Sequence, residues 1–254
     1  MNDSKNLPGS KPMSRRSFVK GFGTGLLMMG TMGSGMLAGM MSDRKGNTQA
    51  ATAPSAHSAL VFTDALMFFT KEQFQWVEAV TERIFPYDDL GPGAKALGVA
   101  IFIDHQLAGP WGINAREYMA GPFHPGSPTQ GTQTHLTHQQ IYLNGIQAVS
   151  QWCQNKYQKG FVELAQTQQD EVLAAMEKGE IPILKGYSSQ AFFEVLKANT
   201  LEGVYSDPLY GGNRNMNGWK LKQYPGAQMS YYGYIEESKK IDLDPVSLKD
   251  HLSH

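Results

Sequence analysis

The stretch TKEQFQWVEAVTERIFP, residues 70–86, decides the fold class. Thr70 and Gln73 stand three apart, the spacing at which a hydroxyl and an amide each accept a backbone N–H at a helix start. Phe74, Val77, Val80 and Ile84 then recur near helical spacing, so one helix face is apolar. Pro86 has no N–H and ends the ladder. Outward from this stretch the pattern repeats. Gly91-Pro92-Gly93 is expected to open a second helix, with Leu97, Ala100, Ile101 and Leu107 as its stripe. Thr137 and Gln140 form another capping pair before a third helix, whose face uses Ile141, Ala148, Val149 and Trp152. Thr167 and Asp170 precede Val172, Leu173 and Met176, and Gly179 suits the stop. Ser188 or Ser189 begins a fifth helix through Phe192, Phe193, Val195, Leu196 and Leu201. No alternating β-branched run competes, and no repeat has a fixed period. The expected fold is all-α: a small helical domain over residues 54–254, with long irregular segments that include a Gly/Pro-rich loop at roughly 120–135.

The first 53 residues read differently. Residues 1–20 carry five basic side chains against Asp3, and from Gly21 to Ser42 there is no charge at all. That run is long enough to span a bilayer. It is rich in glycine and methionine, however, and poor in the aliphatics of a membrane anchor. Ser14-Arg15-Arg16-Ser17-Phe18-Val19-Lys20 resembles a twin-arginine translocation motif, with Ser14, Arg15, Arg16, Phe18 and Lys20 at its defining positions. Ala50, Ala51 and Ala53 offer small residues for cleavage, and retention as an anchor stays open. Residues 47–69 read as a linker followed by a docking segment that is apolar at Phe62, Leu66, Met67, Phe68 and Phe69.

Of the 254 residues, 41% are hydrophobic and 18% charged, which allows one packed domain and a tail, or at most two small domains. From Pro54 onward 15 Lys and Arg face 21 Asp and Glu. An acidic body without a basic cluster is not built for phosphate contacts, so a nucleic-acid role is not expected. Cys153 is the single cysteine, which excludes an intramolecular disulfide and an all-cysteine metal site; it reads as a buried helix thiol. The inventory of chemistry is short. Asp88-Asp89 fits turn and cap chemistry better than a paired-carboxylate site. Asp104-His105 lies in an apolar helix, and His105 reads as a satisfied helix histidine. His135-x-x-His138 has ligand-compatible spacing but no third ligand close by. The methionines of the N-terminal run read as apolar filler rather than a copper site.

From Tyr205 to Tyr234 aromatic residues and glycines accumulate, and both helix and strand propensities are poor. Such a segment either anchors a partner or seals the chain's own helices. Tyr210, Trp219 and Tyr224 are the candidate anchors, and Gly211 and Gly212 would allow close backbone approach.

Two segments carry a family resemblance: FTKEQFQWVEAVTERIFPYDDLGPGA at 69–94, continued by Phe102-Ile103-Asp104, and GVYSDPLYGGNRNMNGWKLKQYPGA at 203–227. Both resemble the small subunit, subunit 3, of membrane-bound gluconate 2-dehydrogenase and related flavin-dependent sugar dehydrogenases. The resemblance implies a complex with a large FAD-containing flavoprotein, often completed by a multihaem cytochrome c. It implies export of this chain and its partner through the twin-arginine translocase to the periplasm, and help in maturing the flavoprotein. The implied chain is non-catalytic and holds no cofactor or metal of its own. FAD and haem c would sit in partner subunits, at the inner membrane. The resemblance assigns the partner interface to Tyr205, Asp207, Pro208, Tyr210, Gly211, Gly212, Asn213, Trp219, Tyr224, Pro225 and Gly226. The alternatives are a stand-alone periplasmic ligand- or metal-binding protein and an enzyme using Asp88, Asp104 or His105.

Overall fold

A computed structural model describes residues 65–252, apart from 125, 128, 129, 131, 132, 184–186 and 240. The translocation motif at Ser14–Lys20, the uncharged run and the linker to residue 64 lie outside the described residues. The described residues form helices joined by turns, with isolated β-bridges and no strand, as an all-α reading requires.

The helices are α1 (Lys71–Ile84), α2 (Val99–Ala108), α3 (His138–Tyr157), α4 (Gln166–Glu177), α5 (Ser189–Tyr205), α6 (Asn217–Lys222) and α7 (Leu248–His251). Their ends follow local chemistry. Thr70 and Gln73 close a reciprocal cap at α1, and Thr137 and Gln140 do the same at α3. Ser188 caps α5 by accepting the Ala191 N–H. At the end of α4, Gly179 sits at φ +74°. Its N–H reaches the Met176 carbonyl and the Glu180 N–H reaches Ala175, the paired bonds of a glycine stop.

Two helix starts differ from expectation. The Gly91-Pro92-Gly93 stretch does not open α2; residues 94–98 form turns, and the helix begins at Val99 after Gly98 at φ +74°. Glu82 causes the delay. Its carboxylate accepts the N–H groups of Tyr87 and Lys95 and so holds the connection as a clamped loop. Thr167 and Asp170 lie inside α4, not before it. Asp170 instead receives Arg83 in a two-pronged ion pair, with Nη2 at 2.7 Å from both oxygens and Nε at 2.9 Å from Oδ1. That pair ties α4 to α1.

Helix α5 is the centre of the bundle and packs against α1, α2, α3, α4 and α6. Phe192 and Leu196 are fully buried on it. Phe192 meets Trp76 of α1 and Tyr142 of α3 edge to face or stacked, with ring centroids 6.3 and 5.6 Å apart. Gly145 of α3 exists to let that ring in, since a Cβ there would lie 2.3 Å from Phe192. The buried Tyr142 hydroxyl donates to Asn199 at 2.7 Å, and burial pushes its ionisation well above the usual phenol range.

Candidate functional site

The side chains that could carry chemistry are built into the fold. Asp104 is completely buried in α2, and its carboxylate accepts three consecutive backbone N–H groups: Met67 at 2.6 Å, Phe68 at 3.1 Å and Phe69 at 2.7 Å. Three aligned amides form a small anion-binding concavity, and Asp104 fills it. The apolar segment ahead of α1 is therefore docked by a carboxylate as well as by Phe69, which is buried among the core side chains. His105 adds a contact from Nε2 to the Ala65 carbonyl at 3.3 Å. The sequence points to a satisfied helix histidine here, and not to the anchoring role of the Asp104 carboxylate. An acid within the apolar run Val99–Ala108 was the available signal.

His135 and His138 do not converge. His135 is exposed on the loop. His138 stacks on Trp111 with centroids 4.0 Å apart, and its Nδ1 lies 2.9 Å from the Trp111 carbonyl. Its backbone N–H is capped by Asn114 at 2.8 Å. Asp88 makes a local turn by accepting the Leu90 N–H at 2.9 Å. Among the described residues, no three His, Cys, Asp or Glu side chains gather in a way that could hold a metal ion. Cys153 is fully buried, and burial pushes its thiol up to about 11. Only the thiolate reacts, so modification by a disulfide reagent at pH 8 is expected to run at least about a hundredfold slower in the native chain than in the urea-unfolded one.

A groove of about 630 Å³ runs along α1 beside Val162 and Gln166. Several of its polar groups are committed internally. Glu82 holds two loop amides, Glu78 pairs with Lys95 at 2.7 Å, Arg83 pairs with Asp170, and Gln169 donates to the Phe161 carbonyl at 3.0 Å.

The aromatic and glycine-rich segment after α5 is more regular than its propensities suggest. Two 3-10 turns, Pro208–Tyr210 and Arg214–Met216, lead into α6. Asn213 organises them. Fully buried and at φ +45°, it donates to the Ser206 carbonyl and accepts the Gly218 N–H, both at 2.8 Å, while its own N–H reaches Gly203. Trp219 is 6% exposed, and its indole N–H donates to the Tyr205 carbonyl at 2.7 Å. Asp207 accepts from Leu209 in its own turn and from Ser247 and Leu248 of the C-terminal segment, all within 2.9 Å. The glycines serve close approach to the chain itself. A Cβ on Gly212 would lie 2.2 Å from the Gly203 carbonyl, and one on Gly218 would lie 2.0 Å from that of Val204.

The expected interface residues thus divide. Asp207, Gly211, Gly212, Asn213, Trp219 and Gly226 are buried within this chain, Tyr205, Pro208 and Pro225 are half-buried, and Tyr210 and Tyr224 are about half exposed. Tyr224 packs edge-on against Trp219 with centroids 5.3 Å apart.

The family model for gluconate 2-dehydrogenase subunit 3 matches residues 71–226, from the start of α1 to Gly226 within the aromatic segment. No curated protein and no solved structure matches the chain. The match covers more than half of the sequence and α1 to α6, so the chain belongs to the gluconate 2-dehydrogenase subunit 3 family.

Proposed function

We propose that this chain is the non-catalytic small subunit of a periplasmic, FAD-dependent sugar or sugar-acid dehydrogenase of the gluconate type. Arg15 and Arg16 address it to the twin-arginine translocase, and the flavoprotein subunit travels with it and matures on it. A multihaem cytochrome c receives the electrons at the inner membrane. One observation carries the reading: the family match takes in α1 to α6, and within that stretch Asp104, His138, Cys153 and Asp88 each serve the fold. Catalysis, with its FAD, then falls to the partner.

The full chain, co-expressed with the flavoprotein subunit, is expected to elute with it as one species with a flavin absorbance band. Changing Arg15 and Arg16 to lysine is expected to leave both subunits in the cytoplasm. The isolated chain is expected to reduce no dye with gluconate and to give a flat titration with millimolar gluconate. Dye reduction by the isolated chain would overturn the accessory reading, and saturable gluconate binding would favour a stand-alone binding protein.

A further inference from the structure

The family match begins at Lys71, but the folded body begins earlier. Residues 65–70 lead into α1 and lie against α2. Backbone holds the outer half of this segment. Leu66 and Met67 are 38% and 60% exposed, while the amides of Met67, Phe68 and Phe69 donate to the Asp104 carboxylate at 3.1 Å or less. His105 carries the contact back to the Ala65 carbonyl, 3.3 Å from its Nε2. The inner half is core. Phe69 is buried, meets Tyr142 of α3 with ring centroids 6.1 Å apart, and has Phe68 edge-on at 5.1 Å. Thr70 then caps α1.

Trimming would undo these ties in order. Asp104 has no exposed surface, and a carboxylate so placed must be compensated by hydrogen bonds or by a charge. Among the described residues its partners are these three amides. A chain starting at Thr70 would keep the acid, lose all three donors and lose a core phenylalanine. A chain starting at Met67 would keep the contacts, because its new α-ammonium would stand beside the acid where the amide now stands.

We propose that residues 67–70 are a clip that the mature chain retains, and that Met67 is the downstream limit for removal of the N-terminal leader. The inference rests on the export reading. A peptidase takes its substrate as an extended stretch with unpaired backbone, and the clip presents a paired one. Ala50, Ala51 and Ala53, the small residues suited to cleavage, all lie upstream. Asp104 stands 37 positions from Met67, so the clip closes only once α2 has come back against α1. Folding of the body thereby fixes the root of the leader.

The test digests the full chain under native conditions with a protease of broad specificity and reads the start of the resistant fragment by N-terminal sequencing. Trimming of the wild type is expected to stop at Met67 or earlier. In Asp104→Ala, cleavage between residues 66 and 70 is expected at least about tenfold faster, because cutting follows the population of the opened segment, and the fragment then starts at Phe68 or later. Asp104→Asn keeps one acceptor oxygen and covers the case of an alanine chain that does not fold. It is expected to be cut faster than the wild type and more slowly than Asp104→Ala. A wild-type fragment starting at Phe68 or later would overturn the clip, and so would equal cutting in wild type and variants. The exported chain, recovered from the periplasm, is likewise expected to start at Met67 or earlier; a start at Phe68 or later would overturn the limit. Digestion needs no export, so a chain that never reaches the periplasm would overturn the export reading alone.

Discussion

Replacing Asp104 with alanine is expected to lower the stability of the chain by about 3–5 kcal/mol, read as a fall in the urea midpoint. The carboxylate is the acceptor for three successive amides, and the Phe69 N–H is buried with it. Alanine leaves those donors without a partner, and water reaches the outer two more readily than the third. Asp104→Asn is expected to cost less, about 1–2 kcal/mol. The retained oxygen in the Oδ1 position still serves Phe68 and Phe69, and only the Met67 N–H then faces an amide donor. The ordering of alanine over asparagine identifies the loss as one of acceptors. A reversed ordering would mean that the carboxylate is a strained charge rather than an anchor. Limited proteolysis adds a spatial readout, since cleavage near residues 65–69 is expected to appear in Asp104→Ala before any cut within α5.

The helices were legible where a local signal sets them. Thr70 with Gln73, Thr137 with Gln140, and Gly179 each satisfy orphan backbone groups within a turn, so neighbouring residues are enough to place them. The start of α2 was not legible, because it depends on Glu82 reaching across 13 positions to the Lys95 N–H. Asp170 is a related case. Read as part of a helix start, it is spent on Arg83, 87 positions away. The family and the special status of residues 203–227 were visible in the unusual run of aromatics and glycines. What the run does was only half visible. Composition cannot tell a tryptophan that anchors a partner from one that donates to the Tyr205 carbonyl. Nor does it reveal a six-residue helix entered through left-handed residues Asn213, Asn215 and Met216, a conformation few side chains adopt. The exposed aromatics Tyr231, Tyr232 and Tyr234 lie past the shared segment, beside the Ala227–Val246 closure, which only three-dimensional structure supplies.

Trp219→Ala is expected to cost about 3–5 kcal/mol, a core-sized loss in a segment that reads as a surface arm. The ring fills the space between α5 and the C-terminal segment. It donates to Tyr205, supports Tyr224, and lies where a Cβ on Gly226 would be 2.8 Å away. Its loss opens a cavity and strands a carbonyl at the end of the central helix. The damage should be directional. Hydrogen exchange is expected to quicken first at Gly218, Ala227, Val246 and Leu248, whose amides bond within this module, while the α5 amides around Phe192 and Leu196 stay protected. Trp219→Phe is expected to keep much of the packing and to lose the indole hydrogen bond, a smaller cost of about 1–2 kcal/mol. Binding then separates support from contact. Trp219→Ala is expected to weaken flavoprotein association although its ring is 6% exposed, because the aromatics it steadies must be ordered again on binding. Adding back rigidity elsewhere should recover that loss without the indole. A disulfide across the Ala227–Val246 closure that restored affinity in Trp219→Ala would show that Trp219 acts by holding the surface in place; no recovery would mean that its own ring reaches the partner.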